Sequence, residues 1–242
     1  MLYIGTVAHN DAATVGLLLW KIRRVLADAS REYQFLVVDD ASSDGTPAVL
    51  EPYQRALPLT LLRCEQRRGW AAGVDLLVRE ALKRTDRPKR DAFVLFPADF
   101  SCSPEALPEL AKRLDSGADL AVGEAPDVAG TRLERLVRRS APRLVGAGLR
   151  VEGVRDLLSG CLAVRLVTVK YALETRERLL ETDGLAARAE CVARLAKQAR
   201  QVATVDLPPA PQAGASFRPF HTALDLIRTG RRVRLPVPAA SA

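Results

Sequence analysis

Short apolar runs alternate with helix-length amphipathic stretches through the first half of the chain. Leu2 to Val7, Phe35 to Val38, Leu59 to Leu62 and Ala92 to Phe96 read as buried parallel strands, and Asp119 to Gly123 as a fifth. Between them Ala13 to Leu26, Thr46 to Arg55, Ala71 to Lys83 and Pro104 to Leu114 carry apolar residues at helical spacing. This β-α-β-α order predicts an α/β fold with a mostly parallel central sheet flanked by helices.

The second half is less regular. Arg132 to Val145 predicts a basic helix, and "LLSGCLAVRLV" a turn followed by an apolar strand. A helix over Ala186 to Ala199 and a strand over Gln201 to Leu207 follow, ended by the Pro-rich "PPAPQAG". A short amphipathic helix from Pro219 to Thr229 places Phe220, Leu224 and Ile227 on one face. No repeat or clear linker interrupts 1–242, which reads as one domain.

Composition narrows the picture. The 242 residues are 48% hydrophobic and only 5% aromatic, so Leu, Val and Ala must build the core. Cys64, Cys102, Cys161 and Cys191 show no ligand spacing and read as free thiols; with only two histidines, a His/Cys zinc site is not expected. The N-terminal segment lacks a signal-peptide pattern, and no apolar run approaches the ~20 residues that span a bilayer. The protein is therefore expected in the cytoplasm, with a peripheral position on the inner face of the membrane. The net charge of +7 is uneven: seven arginines between Arg132 and Arg155 face only Glu134 and Glu152, and the tail adds more. Such surfaces attract anions. Nucleic acid is not the expected partner, because no helix-turn-helix or RNP-like pattern accompanies the charge. A dinucleotide dehydrogenase is disfavoured, since no GxGxxG follows the first strand.

Two stretches carry candidate chemistry. "FLVVDDASSDGT" ends a strand in Asp39 and Asp40 and offers Ser43 or Asp44 as a cap for the helix at Thr46. Two adjacent acids cannot both be buried unpaired, so at least one should face the crevice. "DAFVLFPADFSCSPE" ends a strand at Asp99, with Ser103, Pro104 and Glu105 suited to a helix start. An acid at the carboxyl end of a strand, before a helix, is the layout of an α/β ligand crevice. Trp20 and Trp70 read as packing residues, and His221 as surface.

"VVDDASSDGT" resembles the first nucleotide-binding motif of family 2 glycosyltransferases, those with the GT-A fold, nearest to the polyprenyl-phosphate mannose and glucose synthases. "TVAHNDAATVGLLLWKI", "RRGWAAGVDLLVREAL", "PADFSCSPEALPELAKRL", "DLLSGCLAVR" and "PQAGASFRPFHTALDLIRTGRR" resemble further family segments in the same order. The resemblance implies a single Rossmann-like nucleotide-diphospho-sugar transferase domain over 1–242. Its nucleotide-binding half is 1–124, its acceptor half 125–216 and its basic tail helix 217–235. It implies that Val7, His9 and Asp11 line the base and ribose pocket and that Asp39 and Asp40 accept hydrogen bonds from base and ribose. Ala98 and Asp99 would face the diphosphate, with Asp99 reaching a Mg²⁺ or Mn²⁺ ion, and Arg218 would supply positive charge. Asp156 would orient the acceptor, or else cap a turn. The implied partners are a nucleoside-diphosphate sugar, a polyprenyl phosphate and an anionic membrane surface, with inversion at the anomeric carbon.

Departures from the family pattern fall on the chemistry. Pro97 replaces the first acid of the DxD motif, and Ser101 and Arg67 replace a frequent Gln and Asn. Ala125 and Leu162 fall where arginines are common, and Phe217 where a Lys is expected. A non-catalytic relative that binds a nucleotide or a partner is the alternative reading. The tail helix reads either as a membrane-surface element or as an ordinary docked helix.

Overall fold

The structure is a computed structural model that describes residues 1–27, 31–125, 132–146, 149–174, 176–208 and 219–233. Its element order is β1 (Leu2–Ala8), α1 (Val15–Val25), β2 (Tyr33–Asp39), α2 (Thr46–Ala56), β3 (Leu59–Arg63), α3 (Trp70–Arg84) and β4 (Ala92–Leu95). A 3-10 turn (Pro104–Ala106) leads into α4 (Leu107–Asp115), followed by β5 (Leu120–Glu124), α5 (Arg132–Leu144), β6 (Leu162–Arg165) and α6 (Leu166–Glu174). Then come α7 (Gly184–Gln198), β7 (Val202–Asp206) and α8 (Pro219–Arg232).

One seven-stranded sheet runs in the order β3-β2-β1-β4-β6-β5-β7. β6 is antiparallel to β4 and to β5; the other pairings are parallel. The register sets Leu2 opposite Tyr33 and Ala8 opposite Asp39, so β1 and β2 end level with each other.

Side chains on the strands alternate between two apolar layers, as period-two geometry requires. Ile4, Phe35, Val37 and Val94 pack with Leu18, Ile22, Leu50 and Leu110 from α1, α2 and α4. Tyr3, Leu36, Val38 and Phe93 face the other layer, with Leu77 of α3 and the apolar sides of α5 to α8. Fully buried rings such as Phe35 and Phe93 each contribute about 1.5–3 kcal/mol relative to exposure. The large side chains have been accommodated locally: a β-carbon at Gly5 would lie 2.4 Å from the Phe93 ring.

Several sequence expectations need correction. β3 is the sheet edge and only half-buried, because no strand covers its outer side. Ser103 makes no capping bond; its hydroxyl turns to Glu105, which also pairs with Lys21 of α1 at 3.0 Å. The apolar run after Cys161 stops being a strand at Arg165, and Leu166 opens α6 in the next step of the chain. Trp20 is exposed, with the Arg24 guanidinium 5.5 Å from its ring centroid. The tail helix docks on α5 and α7 through Thr222, Leu226 and Thr229, while Phe220 (73% exposed) and Leu224 (51%) point outward.

Candidate functional site

The carboxyl ends of β1, β2 and β4 lie side by side, and each chain segment leaves the sheet through a residue with positive φ: Asn10 (60°), Ala41 (54°) and Phe100 (59°). None of the three is glycine, so each left-handed turn costs of order 1 kcal/mol or more. Strain of this kind collects where a structure must aim its side chains. Here it turns three short acid-bearing loops into one crevice.

Asn10 stitches the first two loops together. Its Oδ1 accepts Ser43 N at 2.9 Å and Asp44 N at 3.3 Å, and its own N–H donates to Ser42 Oγ at 3.0 Å. Asp44, rather than Ser43, serves the start of α2, accepting Thr46 N at 2.9 Å and Thr46 Oγ1 at 2.5 Å. The hydrogen bonds from Thr46 hold the Asp44 carboxyl below its ordinary value. His9 N donates to Asp11 Oδ2 at 2.8 Å, and His9 Nδ1 meets Asp40 O at 2.8 Å. Burial pushes the Asp11 carboxyl above its ordinary value against the bond from His9, and the charges of Asp99 and Asp44 push it further. Val7 is half-buried, its methyls pressed on Gly73 of α3.

Asp39 and Asp40 are only 4% and 2% exposed. Neither is left unpaired by that burial, because backbone donors offset the desolvation of both. Asp39 Oδ1 accepts Ser42 N at 3.1 Å. Asp40 accepts Arg68 N at 2.7 Å on one oxygen and Gly69 N at 2.9 Å on the other, so it clamps the loop ahead of α3.

Ala98 is buried in the core. Asp99 is half-buried and accepts Ser101 N at 2.9 Å on Oδ1. Pro97 adds no side-chain donor atom, and among the described residues no group of three or more His, Cys, Asp or Glu is placed to hold a metal. The set therefore fits one contact to a divalent cation whose other ligands are phosphate oxygens and water. Asp156 caps the turn before β6: Oδ1 accepts Leu158 N at 2.8 Å and Oδ2 accepts Ala125 N at 3.3 Å. Arg138 approaches the same carboxylate at 3.8 Å. Arg218 lies outside the described residues, as does Phe217.

Sequence reasoning missed Arg188 and Asp183, which α7 and its approach bring to this crevice. Asp183 Oδ1 accepts Ala71 N at 3.0 Å in the first turn of α3. The Arg188 guanidinium lies 5.8 Å from the Trp70 ring centroid, and its Nη1 donates to Leu158 O and Ser159 O at 3.1 and 3.2 Å. Two of the buried thiols are spectators. Burial pushes Cys191 up to about 12 and Cys102 well above its ordinary value, so neither is a nucleophile at neutral pH.

With this geometry in place, comparison with known proteins is informative. The model of the family described as glycosyl transferase family 2 matches residues 3–162. The dolichol-phosphate mannosyltransferase of Pyrococcus furiosus is 27% identical over 169 residues, covering 67% of this chain and 45% of that protein. The polyprenol monophosphomannose synthase of Mycolicibacterium smegmatis is 28% identical over 167 residues, covering 65% and 58%. The chain thus spans about half the length of these curated relatives. Among solved structures, glucosyl-3-phosphoglycerate synthase from Mycobacterium tuberculosis, in complex with Mn²⁺ and UDP-glucose, superposes with a TM-score of 0.69. It is 18% identical, with 99% of this chain and 80% of that one covered. TarS of S. aureus in complex with UDP-GlcNAc superposes at 0.60, with 16% identity over 89% of this chain and 59% of that one. These likenesses identify the architecture as the GT-A fold.

Proposed function

The chain belongs to glycosyl transferase family 2, and on that premise we propose that it moves a sugar from a nucleoside-diphosphate sugar to a polyprenyl phosphate, inverting the anomeric carbon. The observation that carries this reading is the crevice at the ends of β1, β2 and β4, built by three left-handed residues and lined by Asp11, Asp39 and Asp99. The base and ribose would lie along Val7, His9 and Asp11, with Asp39 offering its second oxygen and Asp40 acting through the loop it clamps. Asp99 would face the diphosphate and supply one ligand to Mg²⁺ or Mn²⁺. When bound, that ion would neutralise charge on the departing nucleoside diphosphate. A phosphate acceptor is already ionised, so the transfer needs no general base to remove a proton.

The acceptor chemistry agrees with an outer face on α5 and α8, two helices packed on each other. Leu136 (60% exposed) and Leu133 on α5, with Phe220 and Leu224 on α8, stand in water beside the exposed Arg132, Arg135, Arg139, Arg228 and Arg231. Apolar groups amid arginines suit an anionic membrane surface. No helix among the described residues is long and apolar enough to cross a membrane. One observation favours a second reading, a non-catalytic nucleotide- or partner-binding relative: Pro97 stands two residues before Asp99, where the family resemblance implies the first acid of a DxD motif.

A thermal-shift screen of nucleoside diphosphates and their sugars, with and without Mn²⁺, tests the first reading. A selective ligand at a hundredfold excess over Kd should stabilise the protein by about 2.7 kcal/mol. Transfer of label from the stabilising sugar nucleotide to a short-chain polyprenyl phosphate would separate enzyme from binder. Absence of any shift across the panel rejects the transferase and the nucleotide-binding relative alike, and leaves only a partner-binding one.

A further inference from the structure

We propose that Arg188 is a diphosphate-binding residue, a cation built into the protein that takes over part of the charge neutralisation a two-acid metal site would provide. The inference rests on the nucleotide reading of the crevice and adds to it a residue that reading did not contain.

The guanidinium is fixed on three sides. Trp70 lies under one face, and the carbonyls of Leu158 and Ser159 hold Nη1. Gly160 closes the third side with φ at 71°; a β-carbon there would stand 2.9 Å from Arg188 Nε and 3.0 Å from Cζ. Only glycine serves at that position, on both counts. A side chain with this much rotamer freedom is seldom held so closely without a purpose for its orientation.

Its charge is not matched. Among the described residues no carboxylate lies within 4 Å of Arg188, and Nε and Nη2 have no protein acceptor. Asp156, the acid on one side, already takes two backbone N–H groups and Arg138. Asp99, on the other, is within electrostatic reach but spends one oxygen on Ser101 N. Burial works against the charged guanidinium, and Asp99 works for it. A half-buried cation with two carbonyl bonds and no counter-ion is a site short of an anion. The open edge, Nε and Nη2, is the planar pair that meets two phosphate oxygens.

Location and loss coincide. Arg188 lies within electrostatic reach of Asp99, two residues after the Pro97 that stands where the family resemblance places a first acid, so charge that a second metal-binding acid would have brought there is available from α7. The remaining acid then sees one fixed cation, and a divalent ion becomes an addition to the site rather than its foundation.

The test measures the affinity of UDP and GDP by calorimetry, and of uridine and guanosine by saturation-transfer NMR, in EDTA and in Mn²⁺. Wild type should bind one diphosphate in EDTA. Arg188→Met should weaken that diphosphate about ten- to hundredfold, the scale of hydrogen bonds to a charged group, and leave the nucleoside nearly unchanged. Arg188→Lys keeps the charge without the fork and should lose less. A purely structural Arg188 would move nucleoside and diphosphate together in both variants, which overturns the proposal. So does a wild type that binds the diphosphate only with Mn²⁺. If wild type binds no nucleoside diphosphate under either condition, the nucleotide reading falls and this one with it. Should Arg188→Met fail to fold, the comparison of Arg188→Lys with wild type decides alone.

Discussion

Asp40 offers the sharpest test of how the crevice is held. Its carboxylate is 2% exposed and accepts Arg68 N at 2.7 Å and Gly69 N at 2.9 Å, while its own N–H donates to Ala8 O at 2.9 Å. Replacing it with alanine leaves the main-chain bond intact and orphans two donors. Arg68 is exposed, so water can take its N–H and the loss should be near 1 kcal/mol. Gly69 is half-buried, and its N–H carries a larger share of the 1–3 kcal/mol typical of an unsatisfied group. The sum is about 2–4 kcal/mol, a large part of an ordinary domain's 5–15 kcal/mol. Asp40→Asn retains one acceptor and should cost about half as much. Urea denaturation gives the free energies, and amide exchange at Arg68 and Gly69 reports the loop itself. If Asp40→Ala unfolds within about 0.5 kcal/mol of wild type and the Gly69 amide stays protected, the clamp does not exist. Asp40 would then be free to serve a ligand directly.

Three further outcomes are expected. Glu190, fully buried in α7, takes Thr182 N, Thr182 Oγ1 and Glu181 N and faces Arg194 at ion-pair distance, 2.5 Å, without hydrogen-bond alignment. Glu190→Ala should therefore destabilise by about 3–5 kcal/mol in urea, and a loss under 1 kcal/mol would show that the pair is not desolvated. Asp11 has a raised folded pKa, so its term favours the native state at low pH and is lost as pH rises through the folded value. Asp99→Asn removes one cause, and the Asp11 carboxyl resonance should then titrate at lower pH; an unmoved midpoint would separate the two acids. Sedimentation with anionic vesicles should carry the protein down, less so in high salt, since each basic residue near such a surface contributes about 1 kcal/mol; Leu136→Glu with Leu224→Glu should abolish it by removing two exposed apolar groups and adding two like charges. Equal binding to neutral vesicles would remove the arginines from the explanation.

The elements most legible in the sequence are those whose signal is local. β1, β2 and β4 are short apolar runs closed by polar residues, and α1, α3 and α7 repeat at helical spacing, so each lies within a residue or two of where the pattern puts it. α6 was not legible, because Leu166 and Val167 continue the apolar run of β6 with no glycine, proline or cap between them. The outward pair on α8 was read as part of an apolar face, but which stripe of a two-faced helix is buried depends on the neighbours that dock against it. The acids of the crevice were visible as residue types at strand ends. Their partners were not: Asp40 is answered by amides 28 and 29 residues away. Arg188 carried no signal in the sequence, because the carbonyls that hold it lie 29 and 30 residues before it.

The place of β6 has a consequence for how the chain assembles. β4 and β5 are neighbours in sequence but not in the sheet, since β6 lies between them and is made roughly forty residues after β5. During synthesis the block β3-β2-β1-β4 can form early, leaving the outer edge of β4 with unpaired main-chain groups. The β5 strand has no surface on that block to join until Leu162 to Arg165 emerge. Residues 1–124 by themselves would thus present a bare sheet edge, prone to pairing with another copy. The seam is completed by a four-residue strand, so a single proline within it should stall the nascent protein as an open, aggregating intermediate.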